Sequence, residues 1–399
     1  MPLLQQEIRV SVDVGCHNHS VAIGLSTGQV LDEFDIDHHA AGFKEFFNHI
    51  EQWERRYGWP VSVAMEGFNG YARPLDRMIR ARNYRLFNIN NLKLARFKEI
   101  FPAAAKTDAI DARKGLELFQ LSDQLPLAKG VLQEISATPK VNEHLKRLSR
   151  RRRRLVNERV SVINSLQTDL QAVCPGLLDI TKDVNNVWFI HFLTSSDDLR
   201  KLVKKSRDSL LKIRRVGQTY VRLIEQWQSQ ALFSDEVDIV GPMILEDAQR
   251  IIELNHQIKQ LEAQIERLST ESTVATLLRT IPGFGKTTTS ELAGEIGTLE
   301  RFATESSLGL YLGMAALDNC SGRYKGSKKP KHVNTRAKAA MMIAVDRHRK
   351  KVPESERYYE RKRQEGKKHN QAIRALGRHL CRVIFKMLKD EREYRMKEE

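Results

Sequence analysis

The chain has 399 residues, with 66 Lys+Arg against 50 Asp+Glu, a formal net charge of +16. Its 41% hydrophobic content supplies a packed core and excludes wholesale disorder. No run approaches the ~20 apolar residues of a transmembrane helix, and no basic-then-apolar signal opens the chain, so no membrane role is expected. Cys16, Cys174, Cys320 and Cys381 are scattered without a Cys-x-x-Cys pair. Neither a disulfide framework nor a zinc module is indicated, and a reducing cytoplasm fits.

In chain order, residues 7–36 read as three antiparallel strands. Ile8, Val10, Val12 and Val14 alternate with polar residues, and two further apolar stretches follow across Gly-containing turns. A helix is predicted near 41–57, where Phe43, Phe46, Phe47, Ile50 and Trp53 keep helical spacing. Gly58-Trp59-Pro60 ends it. A strand then runs to Glu66, followed by a helix near 72–82, a short strand at 84–89 and a helix from about Thr107. Strands and helices in this order indicate an α/β domain over residues 1–125.

From about 139 the chain reads as helical, with an apolar stripe through Leu145, Leu148, Leu155, Val162 and Leu166. Short helices fill 186–232. Ile251, Leu254, Ile258, Leu261, Ile265 and Leu268 then step by three and four, the seam of a coiled coil between or within chains. Ile281-Pro282-Gly283-Phe284-Gly285-Lys286 is a turn between two helical patterns and resembles a helix-hairpin-helix. Gly283 and Gly285 would free backbone N–H groups for a phosphate at a helix start. A P-loop reading of Gly285-Lys286-Thr287 fails because it needs Gly where Thr280 stands. An apolar, Gly-spaced stretch leads to Ser321-Gly322-Arg323 and then Lys325, Lys328 and Lys329, and two basic helices close the chain.

The charge is segregated. Residues 1–125 carry a net −1, 139–215 carry +10, 216–320 carry −8 and 321–399 carry +15. Arg150, Arg151, Arg152, Arg153 and Arg154 form an unbroken run. Such blocks are the footprint of a polyanion, and nucleic acid is the expected partner.

The chemistry concentrates in acids. Asp13 sits in an apolar strand, where burying a lone carboxylate is costly. Glu66 ends a second strand. Asp108 and Asp111 lie three apart on one helix face. Gathered at one sheet edge, four acids would repel unless divalent cations neutralised them. Two Mg²⁺ or Mn²⁺ ions suit oxygen ligands and a phosphodiester substrate. Asp13-Val14-Gly15 also resembles the phosphate loop of sugar kinases and actin-like ATPases, but their second Asp-x-Gly strand and Gly-Gly motif are missing.

Together these residues resemble the DEDD transposases of bacterial insertion-sequence family 110, relatives of the Piv-type DNA invertases. The resemblance rests on Val12-Asp13-Val14-Gly15, Glu66-Gly67 and Lys106-Thr107-Asp108-Ala109-Ile110-Asp111-Ala112-Arg113 at the front. At the back it rests on Ile281-Pro282-Gly283-Phe284-Gly285, Gly313-Met314-Ala315-Ala316-Leu317, Ser321-Gly322 and the string from Tyr358 to His379. It implies a RuvC-like, RNase H-type domain at 1–125 whose catalytic and metal-holding acids are Asp13, Glu66, Asp108 and Asp111. It also implies a mainly α transposase domain at 276–399, with Ser321 as nucleophile. Between them, the residues themselves read as a helical region with a basic block and coiled coil at 126–275. The implied activity is recombination of donor and target DNA through a 5′-phosphoserine intermediate, guided by an element-encoded bridge RNA, in a dimer to tetramer at the bacterial nucleoid. The alternative is a RuvC-like metal-dependent endonuclease or resolvase that uses activated water. Arg150–Arg154, Gly283, Gly285, Lys286, Arg323, Lys325, Lys328 and Lys329 are the expected nucleic-acid contacts.

Overall fold

A computed structural model describes residues 6–66, 71, 73–100, 107–122, 131–322, 324–328, 330 and 333–396. The chain forms two compact units, residues 1–137 and 138–399.

The first unit is built on a six-stranded sheet of order β3-β2-β1-β4-β5-β6. Strands β1 (Ile8–Val14), β2 (Asn18–Leu25) and β3 (Val30–Asp37) form the expected antiparallel meander. Helix α1 (Ala40–Tyr57) crosses to β4 (Val61–Glu66), which runs parallel to β1. Helix α2 (Arg73–Ala81) leads to β5 (Arg85–Ile89), parallel to β4. Helices α3 (Asn91–Ile100) and α4 (Asp108–Leu121) precede β6 (Leu132–Glu134), antiparallel to β5. A three-strand meander continued by two parallel strands is the RuvC/RNase H-like arrangement.

The two sheet faces differ because the strand residues alternate. One face presents Val10, Val12, Val21, Ile23, Val63 and Met65, all buried under Phe43, Phe46, Phe47 and Ile50 of α1 and under Leu75 and Ile79 of α2. The other face presents small residues, Ser11, Ala22 and Ala64, and α4 lies on it. The approach is close. A Cβ on Gly115 would stand 2.3 Å from Ser11 Oγ. A glycine inside a helix costs about 1 kcal/mol relative to alanine; here it permits contact that no larger residue would.

Arg9 fixes the far end of α4. Its buried guanidinium donates to the Phe119 and Gln120 carbonyls at 2.7 and 3.2 Å and pairs with Glu7 at 3.2 Å. Unpaired carbonyls and the dipole at a helix C-terminus favour such a cation. Anchored there, α4 runs antiparallel to β1, and its first turn reaches the C-terminal ends of β1 and β4.

The second unit is helical. Two long helices, α5 (Lys140–Val173) and, after α6 (Val187–Leu193), α7 (Leu199–Leu202), α8 (Arg207–Leu211) and α9 (Gln218–Gln228), α10 (Val237–Thr270), pair antiparallel. The Ile251–Leu268 seam packs within the chain: Leu254 and Ile258 meet Leu155, and Ile265 meets Leu145. The short helices close over the hairpin's other end around Phe189, Phe192 and Trp227.

Then come α11 (Thr273–Arg279), α12 (Lys286–Ile296), α13 (Glu305–Tyr311), a hairpin of β7 (Leu317–Ser321) and β8 (Tyr324–Lys328), α14 (Thr335–Arg349), α15 (Pro353–Gln364) and α16 (His369–Lys389). Three terminal helices therefore stand where two are expected from the sequence, because Pro353 starts a fresh helix at its N1 position. The expected boundary at 275/276 falls inside one unit. Helix α12 seats on α5 so closely that a Cβ on Gly294 would lie 2.4 Å from the Lys146 amide nitrogen. Among the described residues no helix is long and apolar enough to cross a membrane.

Candidate active site

The acidic edge follows from strand register. Pairing of Val12 with Met65 sets Asp13 beside Glu66 at the ends of β1 and β4. Thr107 caps α4 through its hydroxyl, which accepts the Ile110 amide at 3.3 Å, so Asp108 is left free of the capping role. Asp108 and Asp111 occupy the first turn, where the helix dipole favours carboxylates.

Asp13 senses the other three acids. The Asp13 carboxyl is pushed up to about 6, first by burial, then by the Glu66 charge; Lys98 opposes, and Asp111 and Asp108 add to the rise. Burial also raises Glu66; Lys98 opposes it and Asp111 adds to it.

Lys98, on the last turn of α3, stands among these groups. Its Nζ lies 3.0 Å from Asp111 Oδ2 and 3.8 Å from Glu66 Oε2. The sequence offers no signal for this residue, since α3 has only a weak amphipathic pattern. Only the question of which cation partners the acids could have raised it.

The donor set is all oxygen, and Asp13 and Glu66 are partly desolvated, which suits a hard divalent cation. Among the described residues no three His, Cys, Asp or Glu side chains close on a single point. The Lys98 ammonium lies in the gap between two of them.

Ser321 belongs to the second unit. It is the last residue of β7, exposed, and paired with Tyr324 across a two-residue turn. Gly322 holds φ +56°, the left-handed conformation that such a turn needs at its first position. The serine thus stands at a hairpin tip. Lys328 is exposed at the far end of β8, opposite Leu317. Lys325 is in β8, but its side chain lies outside what is described, as do Arg323 and Lys329.

Two family models match the chain. A DEDD-type model described as "Transposase" matches residues 10–175, and one described as "Transposase IS116/IS110/IS902 family" matches residues 275–360. The chain belongs to the IS110/IS116/IS902 transposase family. It is 27% identical over 310 residues to the insertion element IS110 uncharacterized 43.6 kDa protein of Streptomyces coelicolor, covering 75% of this chain and 74% of that one. It is 24% identical over 304 residues to the insertion element IS116 uncharacterized 44.8 kDa protein of Streptomyces clavuligerus, covering 74% of each. It is 26% identical over 345 residues to the insertion element IS900 uncharacterized 42 kDa protein of Mycobacterium paratuberculosis, covering 84% of this chain and 85% of that one.

The transposase's basic groups divide between internal ion pairs and the surface. The five-arginine run divides by helical period. Arg150 grips Glu295 at 2.7 and 2.8 Å, Arg153 grips Glu291 at 2.6 and 3.2 Å, and Arg152 pairs with Glu262 at 2.6 Å. Arg151 and Arg154 are exposed, with no partner among the described residues. Three of the five therefore tie α5 to α10 and α12, and two remain at the surface. Sequence reasoning missed Asn334, whose amide donates to Glu295 and to the Tyr311 hydroxyl, both at 2.7 Å, while its oxygen caps α14.

The transposase's Pro-Gly turn is also partly structural. Gly283 holds φ +87°, and a Cβ there would meet the His348 amide nitrogen at 2.5 Å; His348 Nδ1 lies 2.7 Å from the Pro282 carbonyl. Gly285 caps α12 without a side chain, so the first amides of the helix lie at an exposed edge beside Lys286. Lys286 pairs with Glu266 at 2.9 Å and stays 72% exposed, so it is anchored without being covered.

Proposed function

We propose that this transposase recombines donor and target DNA by serine attack at a metal-assisted site, under the guidance of a structured RNA. The observation that carries the reading is the strand register that sets Asp13 beside Glu66, with Asp108 and Asp111 in the first turn of α4 near the same edge. These four residues would hold two Mg²⁺ or Mn²⁺ ions, which would supply positive charge to the reacting phosphate.

The chain's own residues would act as follows. The carboxylates orient the site. The Ser321 hydroxyl, exposed on its hairpin tip, bonds to phosphorus as the bond to the 3′ oxygen breaks. The products are a 5′-phosphoserine and a free 3′ hydroxyl, and the reverse step onto a new strand conserves bond energy. The working assembly would be several copies, dimer to tetramer, with the acids of one meeting the serine of another.

For nucleic-acid contact, Arg151, Arg154, Lys286, Lys328 and the α11–α12 turn, acting as a helix-hairpin-helix, would meet phosphates. Such contacts give affinity without reading sequence. No zinc finger or homeodomain pattern supplies base readout, which supports an RNA guide doing it by pairing.

The decisive experiment mixes the protein with its element's DNA and co-purifying RNA and traps protein–DNA adducts in denaturant. The native chain should form an adduct that Ser321→Ala abolishes while retaining DNA binding. An adduct surviving Ser321→Ala overturns the assignment. A second reading, a metal-dependent endonuclease using activated water, is favoured by the location of all four acids in the first unit. It requires hydrolysed DNA with a free 5′ phosphate and no adduct.

A further inference from the structure

We propose that Lys98 is the resident counter-cation of the acidic site: it occupies the gap between Glu66 and Asp111 and gives that position up when a divalent cation binds. The inference rests on the metal-site reading above and concerns what competes for that site.

The geometry sets up the competition. The ammonium is 3.0 Å from Asp111 and 3.8 Å from Glu66, two of the four acids that would hold a metal. An ammonium and a divalent ion cannot both sit against the same two carboxylates without strong like-charge repulsion in a partly buried site. One lysine also supplies a single positive charge to four acids, so a divalent ion answers the remaining repulsion better. The means of exchange is local. Lys98 is on the last turn of α3, and its flexible four-carbon stem lets the head leave without moving the helix. The lysine thereby keeps the acids together in the metal-free protein and lowers apparent metal affinity, because each binding event must also break its two contacts.

The test is Mn²⁺ binding to the full chain, followed by titration calorimetry and by the electron paramagnetic resonance signal of free Mn²⁺, with no DNA present. Lys98→Met keeps length and removes charge. It should bind Mn²⁺ about tenfold or more tightly than the native chain, the loss of one close charge contact being worth at least that much. Its thermal midpoint in EDTA should be lower, and its Mn²⁺-induced rise larger. Lys98→Gln should behave like Lys98→Met and guards against a packing fault in the first variant. Lys98→Arg should bind no more tightly than the native chain. Equal or weaker Mn²⁺ binding by both uncharged variants overturns the displacement while leaving the metal site intact. Absence of Mn²⁺ binding in every protein overturns the metal-site reading and the displacement together.

Discussion

The Arg150 guanidinium holds both oxygens of Glu295, at 2.7 and 2.8 Å, with the carboxylate side chain only 1% exposed. Burial would raise that carboxyl; hydrogen bonds from Arg150 and Asn334 and the charges of Arg150 and Lys146 outweigh it and hold the group below its ordinary value. Arg150 is thus a clamp between α5 and α12. The Arg150 side chain is itself 40% exposed, so removing it strands only the buried Glu295 charge, and Arg150→Ala should cost about 2 kcal/mol of stability in the second unit. Arg154→Ala, at an exposed site, should stay within about 0.5 kcal/mol and instead weaken DNA or RNA binding, reducing the salt slope by about one. Urea midpoints and binding isotherms at several salt concentrations check both. Equal destabilisation by the two variants would count against the division of the run.

Gly115 and Ser11 set the height of α4 above the sheet. Gly115→Ala places a Cβ where the Ser11 hydroxyl now stands and should cost about 1–3 kcal/mol, with loss of DNA cleavage as Asp108 and Asp111 lift from the edge. The double variant Gly115→Ala with Ser11→Gly should recover much of both. The cost of losing the serine is small, because its Oγ is buried without a hydrogen-bond partner among the described residues. Failure of the second change to rescue would show that the contact is not what limits the helix.

Asp13 should show opposed effects on stability and activity. It is partly buried among like charges, so Asp13→Asn should raise the thermal midpoint in EDTA while lowering strand cleavage by about 10³-fold or more, about 4 kcal/mol of barrier. Differential scanning calorimetry and a strand-cleavage assay on the same preparation check this. A destabilised Asp13→Asn would mean that the acids are not in mutual repulsion.

His19 gives the first unit a pH dependence. Its ring is buried in β2 with Nε2 2.8 Å from His38 Nδ1, and burial, then the neighbouring His38, lowers it from 6.5 to about 4. The folded state therefore disfavours the proton that the unfolded chain accepts at 6.5. The stability from a neutral His19 is complete above pH 6.5, declines as pH falls from 6.5 to 4, and changes no further below that. Urea midpoints measured across this window should fall in the native chain and fall less in His19→Leu. Parallel slopes in the two would assign the dependence elsewhere.

Much of this protein was written locally. Alternation determined the β1–β3 meander and put Asp13 and Glu66 at strand ends, Thr107 marked the start of α4, and Ser321-Gly322 marked a turn, because each signal depends on a few neighbouring residues. A period of three and four likewise showed that Ile251–Leu268 needed an apolar partner, but not that α5 of the same chain provides it. Tertiary structure alone decided that Arg150, Arg152 and Arg153 face glutamates while Arg151 and Arg154 face solvent. It alone decided that Gly283 packs on α14, that Asn334 reaches Glu295, and that Lys98 stands between Glu66 and Asp111. A charged side chain carries no mark of its partner; that is settled by which surfaces fold against each other, over separations of tens to more than a hundred residues.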